Sequence, residues 1–158
     1  MRSVALSLLA MAACGTDDAN VAGDYSVSLT YRDNGCNLGG NWTVGNTTTV
    51  QVTMVQSKAD VTATVMGLGG VALDALLGAH AYTGKVNGND LDLTIFGTHN
   101  ATMGSCSYTI NSELIATSHG DIVQGRVEYK SATNGSPDCA PIEGCLSQQD
   151  FNGTRPPP

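Results

Sequence analysis

The turn at residues 87–90, Asn-Gly-Asn-Asp, constrains the fold of this chain more than any other feature. Asn and Gly accept the positive φ angles that a two-residue hairpin turn requires. Centring the turn on these residues pairs Val86 with Leu91, so that apolar side chains meet on one face. On the other face the same register pairs Lys85 with Asp92, which carry opposite charges. The sequence therefore predicts an antiparallel hairpin with one apolar face.

The same alternation of apolar and polar residues recurs along the chain and predicts eight strands. A later hairpin, with its turn at residues 119–120, sets Leu114 opposite Gly125 on the inner face. On the outer face it sets Glu113 opposite Arg126, again a pair of opposite charges. The predicted strands span residues 24–31, 48–56, 61–66, 80–86, 91–99, 106–118, 121–131 and 148–154.

The composition agrees with a sheet protein. Only 13% of the residues are charged, and Thr, Val and Gly are frequent, which is typical of all-β domains. Eight antiparallel strands joined by short hairpins favour an up-and-down barrel, because closing the sheet removes its exposed edges. A sandwich of two stacked sheets is the alternative. We therefore predict an all-β, eight-stranded antiparallel up-and-down barrel.

The connections between the predicted strands alternate in length. In an up-and-down barrel the odd-numbered connections all lie at one end, and here these are the long ones. They span residues 32–47, 67–79, 100–105 and 132–147, whereas the even-numbered connections are tight turns. The barrel is therefore expected to carry long loops at one end, and the amino-terminal segment enters it from the other.

The amino-terminal segment has the layout of an export signal. One positive charge at Arg2 precedes a short apolar run, which is too short to span a bilayer because spanning takes about 20 apolar residues. Residues 8–14 resemble the lipobox of bacterial lipoproteins. That resemblance implies cleavage before Cys14, lipid attachment to its sulfur and, because Gly15 follows rather than Asp, location in the outer membrane. An ordinary signal peptide, cut one or two residues earlier and leaving a secreted soluble protein, is the alternative.

These assignments divide the chain into four parts. A lipoprotein signal peptide covers residues 1–13, a lipidated tether covers 14–22, the barrel domain covers 23–155, and a proline-rich tail covers 156–158. Membrane contact is expected through the lipid anchor only.

The other four cysteines fall in or beside the long loops. Export to an oxidising compartment favours two disulfides among them. Of the three possible connectivities we favour Cys139 with Cys145 and Cys36 with Cys106. A zinc site is disfavoured, because the sequence contains no CxxC pair.

The sequences at the two ends of the barrel domain resemble patterns found in known protein families. Gly23-Asp24-Tyr25 opens the first predicted strand, and Phe-Asn-Gly-Thr-Arg at residues 151–155 closes the last. Together they resemble the lipocalin or calycin pattern, in which a G-x-W strand packs under a late Arg, and this implies a lipocalin-like barrel. Tyr25 takes the place of the Trp, and no long helix follows, so lipid transport is not implied. Residues 132–157 resemble the carboxyl-terminal pattern of an uncharacterised group of exported bacterial lipoproteins, which implies no activity.

The predicted registers place aromatic side chains inside the barrel. All five tyrosines point inward, four of them towards the long-loop end, and two histidines fall on the same face. The resulting ring comprises Tyr31, His80, Tyr82, His99, Tyr108 and Tyr129. Such a ring could bind a small, uncharged, partly apolar ligand. The alternative is a barrel filled by its own side chains, acting as a structural or protein-interaction lipoprotein through its long loops.

Other functional classes find little support in the sequence. A net charge of -7 disfavours nucleic acid and anionic headgroups. His80 and His99 lack a third ligand, so no metal site is predicted. Residues 67–72 match the G-x-G-x-x-A motif, but they lack the parallel βαβ context that a dinucleotide site requires. We instead interpret residues 71–77 as a short helical lid over the mouth of the barrel. No G-x-S-x-G or H-E-x-x-H motif occurs, and we predict a non-enzymatic protein without a cofactor.

Overall fold

The computed structural model describes residues 17–39 and 42–156 of the chain. The expected signal peptide and Cys14 lie outside the described residues. The described part forms nine strands, one α-helix and one short 3-10 helix. They are β1 (Gly23–Asn34), β2 (Thr47–Ser57), β3 (Asp60–Val65), α1 (Gly67–Leu77), β4 (Ala81–Asn87), β5 (Asp90–Ile95), β6 (Ala101–Met103), β7 (Cys106–His119), β8 (Ile122–Thr133), the 3-10 helix Pro137–Cys139, and β9 (Leu146–Thr154).

Eight of these strands close into a barrel in sequential order. Each barrel strand pairs antiparallel with the next barrel strand in the chain. Strand β5 pairs with β7, and β1 pairs with β9, which completes the ring. The three-residue β6 pairs with β7 beyond the end of β5. The predicted eight-stranded up-and-down barrel is confirmed. The sandwich is wrong, because one ring of hydrogen-bonded strands joins all eight.

The hairpin at residues 87–90 has the register that its turn residues predict. Val86 lies opposite Leu91, and Lys85 lies opposite Asp92. Both apolar members are buried, and Gly88 has a φ of 59°, in the left-handed region that favours glycine. Local turn chemistry therefore sets this part of the ring.

The β7–β8 hairpin differs from its predicted register by two residues. Leu114 lies opposite Val127, and Glu113 lies opposite Glu128. The reason is the turn, in which His119 pairs with Ile122. A turn displaced by one residue shifts the register by two and leaves every side chain on its predicted face.

The observed register has its own physical reasons. It sets Gly125 opposite Ala116, where a Cβ on Gly125 would overlap a backbone oxygen of β7. The facing carboxylates Glu113 and Glu128 would repel each other, but the Lys130 Nζ lies 2.8 Å from a Glu113 oxygen and 2.7 Å from a Glu128 oxygen. The shared lysine replaces the ion pair expected between Glu113 and an arginine.

Each disulfide joins chain segments that strand pairing makes neighbours. They link Cys36 to Cys145, with Cα atoms 4.8 Å apart, and Cys106 to Cys139, with Cα atoms 4.9 Å apart. The pairing favoured from the sequence is therefore wrong. Cys36 and Cys145 follow and precede the paired strands β1 and β9, and Cys106 begins β7, whose partner β8 leads into the loop of Cys139. Strand adjacency decides the pairing here, not closeness in sequence.

The tight-turn end of the barrel is closed by the chain itself. The Ala19 amide donates a hydrogen bond to the Gly88 carbonyl oxygen over 2.7 Å, so the amino-terminal segment crosses this end. Tyr25 is fully buried there, with the Arg155 guanidinium 5.8 Å from the centre of its ring. The open space of the barrel therefore lies towards the long loops. Neither helix in the described part of the chain combines the length and the apolar character that crossing a membrane requires.

Candidate ligand cavity

The barrel contains a cavity of about 730 Å³ that opens to solvent at its long-loop end. This volume falls within the range of roughly 300–1,000 Å³ that is usual for small-molecule sites. The inward faces of β1, β2, β3, β8 and β9 form its wall, and α1 and the loop after β1 lie over it. A barrel filled by its own side chains would leave no such volume, so the interior has space for a small ligand.

The lining is apolar and carries no charge. Aliphatic side chains dominate it, and none of the lining residues among those described is Asp, Glu, Lys, Arg or His. The aliphatic members include Val27, Leu29, Val50, Val52, Met54, Val65, Leu73, Leu76, Leu114 and Val127. A charged group would lose its hydration here without gaining a partner of opposite charge. The cavity therefore suits an uncharged occupant.

An aromatic cluster forms one side of the cavity. Trp42 meets Tyr31 edge-on with ring centres 4.9 Å apart, and it meets Tyr129 edge-on at 6.0 Å. The Trp42 Nε1 donates a hydrogen bond over 2.8 Å to the Arg32 carbonyl oxygen, which holds the indole against the barrel. All three rings line the cavity, and they offer a flat, polarisable surface to a ligand.

The loop that carries Trp42 is anchored at its base. The Asn34 side chain both accepts a hydrogen bond from the Leu38 amide and donates one to its carbonyl oxygen, over 2.8 and 3.0 Å. The Ser147 hydroxyl donates to the same Asn34 side chain and accepts from the Cys36 amide. Together with the Cys36–Cys145 disulfide, this network fixes one side of the cavity mouth.

Helix α1 forms the other side of the mouth, where the sequence predicts a lid. Leu73 and Leu76 face the cavity, and Gly69 makes the close approach possible, because a Cβ there would come within 2.8 Å of a Val50 methyl carbon. Within the G-x-G-x-x-A segment, Gly69 and Gly70 thus serve helix packing, whereas Gly67 supplies a positive φ where the helix begins. The helix ends at Gly78, whose amide donates to the Asp74 carbonyl oxygen.

A chain of polar groups crosses one part of the apolar interior. The Tyr82 hydroxyl lies 2.8 Å from the Ser112 Oγ, and the Tyr129 hydroxyl donates over 3.0 Å to the Gln149 Oε1. Burial raises the pKa of Tyr82 to about 12. Burial first, and then the neighbouring Tyr82, raise the pKa of Tyr129 well above 10. Both phenols therefore stay neutral, so the interior remains uncharged at any physiological pH.

The structure brings half of the predicted ring together. Tyr31, Tyr82 and Tyr129 line the cavity. Among the described residues, His80, His99 and Tyr108 are not part of that lining. Tyr108 packs partly buried against the core, at the pairing of β7 with β6.

The histidines differ from their expected places because the strands end before reaching them. The inward alternation stops at Ala81, where β4 begins, so His80 lies in the connection after α1. Its Nδ1 lies 2.8 Å from an Asp74 carboxylate oxygen. The His99 ring donates over 3.0 Å to the Ala75 carbonyl oxygen. Both histidines hold α1 from its outer side.

Two cavity residues were not predicted from the sequence. Trp42 lies in a loop, where no alternation marks a side chain as inward, and its one available signal is that the chain contains a single Trp. Gln149 did carry a signal, because it shares the parity of Phe151, an apolar residue of the same predicted strand.

The fold and the cavity define a class, a closed eight-stranded antiparallel β-barrel with an uncharged, largely apolar internal cavity under a helical lid. Comparisons with protein-family models, with curated proteins and with solved structures give no match to this chain.

Proposed function

We propose that this protein binds a small, uncharged, largely apolar molecule inside its barrel. The observation that carries the proposal is the cavity of about 730 Å³ whose described lining has no charged residue. Binding sites of this kind are mostly apolar, preformed and concave, with a few polar groups that orient the ligand. The role is binding alone, without a catalytic step or a cofactor.

A pair of matched variants tests this proposal. Val50 lines the cavity from β2, whereas Val55 lies on the same strand with 64% of its surface exposed. Nile red, an uncharged apolar fluorophore, should bind the wild-type protein saturably. Val50→Trp fills the cavity and should weaken that binding by at least about tenfold, which corresponds to roughly 1.4 kcal/mol. Val55→Trp should leave it unchanged, and equal effects of the two substitutions would contradict the proposal.

We further propose that the protein is exported and held at the bacterial outer membrane by lipid on Cys14. The support is the lipobox-like segment of residues 8–14 together with two disulfides, which persist in oxidising compartments. Incorporation of radiolabelled fatty acid should be lost in Cys14→Ala. Equal labelling of both proteins, or none in the wild type, would favour the alternative of a secreted soluble protein.

One observation favours a second candidate function, docking of a partner protein at the long-loop end. Large apolar side chains are exposed there: Leu68 and Val71 on α1, Phe96 after β5 and Val44 in the loop before β2, with Leu68 88% exposed. Crosslinking in the native envelope should then capture one partner with the wild type and lose it with Val71→Ser and Phe96→Ser, two positions outside the cavity lining. Binding of Nile red should be unaffected by these two changes.

A further inference from the structure

The Gln149 amide is a buried polar group with an unused hydrogen-bonding atom. The residue lies on β9 and is only 5% exposed, and its Oε1 accepts a hydrogen bond from the Tyr129 hydroxyl. Among the described residues, its Nε2 has no hydrogen-bond partner. In the described part of the chain, the Ser118 Oγ is the one fully buried side-chain atom without a partner, so the Gln149 Nε2 keeps access to the space of the cavity. An occupant that covered this N–H without bonding to it would leave the donor unpaired, which costs about 1–3 kcal/mol. The amide therefore favours an occupant that can accept its hydrogen bond.

The position of Gln149 aims this donor at the cavity. In the sheet it lies opposite Tyr31 on β1 and Val127 on β8, and all three residues line the cavity. The hydroxyl of Tyr129 is already engaged with Gln149, and that of Tyr82 with Ser112. The Gln149 amide is thus the group in this polar chain that is left to orient a ligand. Exchanging the amide nitrogen and oxygen would still leave one polar atom free.

The surroundings of Gln149 restrict the chemistry of the ligand. A carboxylate would need a cation beside it, and none lines the described cavity. A pure hydrocarbon would leave the amide unpaired. The aromatic cluster of Tyr31, Trp42 and Tyr129 lies around the amide, while the leucines of α1 and the valines of β2 form the rest of the wall. An uncharged ligand that carries one oxygen acceptor on an apolar body fits both the amide and the apolar wall.

We propose that the Gln149 amide donates a hydrogen bond to a carbonyl or hydroxyl oxygen of an uncharged ligand, whose apolar body packs between α1 and β2. This inference rests on the proposed binding function and adds the chemical class of the ligand. The oxygen lies beside the aromatic cluster, and the phenol of Tyr129 holds the amide in place.

Displacement of Nile red by three compounds of equal chain length tests the ligand class. They are hexyl methyl ketone, n-octane and octanoate. The wild-type protein should bind the ketone and the alkane and reject octanoate. In Gln149→Leu, ketone binding should weaken roughly three- to tenfold, as expected for one net hydrogen bond, while octane binding should stay equal or improve. Gln148→Leu is the matched control, because Gln148 lies on the other face of β9 and bonds to Glu128, and it should change neither.

The outcomes separate this inference from the function on which it rests. If Nile red binds but Gln149→Leu weakens ketone and octane equally, or neither, the role of the amide is refuted and the binding function stands. Tighter binding of octanoate than of the ketone would refute the uncharged class. If no probe binds saturably, both proposals fail. If Gln149→Leu does not fold, Gln149→Met, which keeps the length of the side chain, replaces it. The ratio of its ketone affinity to its octane affinity, compared with that of the wild type, then tests the role of the amide.

Discussion

Removal of the Cys36–Cys145 disulfide should destabilise the protein more than removal of Cys106–Cys139. The two cystines close chain segments with sequence separations of 109 and 33 residues. The chain-entropy relation gives about 5 kcal/mol for the longer loop and about 4 kcal/mol for the shorter one. The first cystine also spans the β1–β9 seam, where the barrel closes, so its loss frees the ends of that seam as well as the unfolded chain.

Paired alanine variants allow this ordering to be measured. One variant combines Cys36→Ala with Cys145→Ala, and the other combines Cys106→Ala with Cys139→Ala. Alanine is used rather than serine because three of the four cysteines are buried, and a buried hydroxyl without a partner would itself destabilise the fold. Urea unfolding followed by tryptophan fluorescence should show the lower midpoint for the first pair, by about 1 kcal/mol in free energy of unfolding. Nile red binding should also weaken in that pair, because the loop of Trp42 loses its anchor. A lower midpoint for the second pair would refute the seam argument.

Two further changes test the packing and the electrostatics of the β7–β8 hairpin. Gly125→Ala should lower the free energy of unfolding by about 2 kcal/mol or more, because its Cβ overlaps backbone of the facing strand. Gly39→Ala, whose Cβ would meet no atom within 4 Å, is the control, and equal urea midpoints would contradict the observed register. Hydrogen bonding from Lys130 is the main cause that lowers the pKa of Glu128 below 4.5. The ionised Glu128 carboxylate therefore stabilises the fold fully above pH 4.5, and this stabilisation is lost as the pH falls through the lowered pKa of the folded state. Glu128→Gln should flatten the acid side of the stability profile, and an unchanged acid midpoint would show that the ion pairs contribute nothing.

The strands and the barrel follow from local signals in the sequence. The Asn87-Gly88 turn sets its own register, and the parity of the loops places the long connections at one end. The β7–β8 register was missed by two residues, because one glycine in a tight turn can occupy either central position. The observed register brings Gly125 close to the backbone of β7, a tertiary contact that the turn residues alone do not predict.

The site was harder to predict than the fold, for two physical reasons. Loops have no fixed period, so the aromatic contacts of Trp42 could not be read from spacing. The favoured disulfide pairing was wrong, although closure of the ring implies that Cys36 meets the loop before β9. Gln149 could have been predicted from its parity alone, since a polar residue on an inward face calls for a partner.

The two sides of the cavity mouth are attached in different ways, and this determines where the entrance can widen. The loop of Leu38 and Trp42 is held by a covalent bond and by the Asn34 network. Helix α1 is held by hydrogen bonds and packing alone, through contacts such as His80 with Asp74 and His99 with Ala75. If the proposed ligand is bulky, we therefore expect the mouth to widen by movement of α1, while the aromatic side keeps its position.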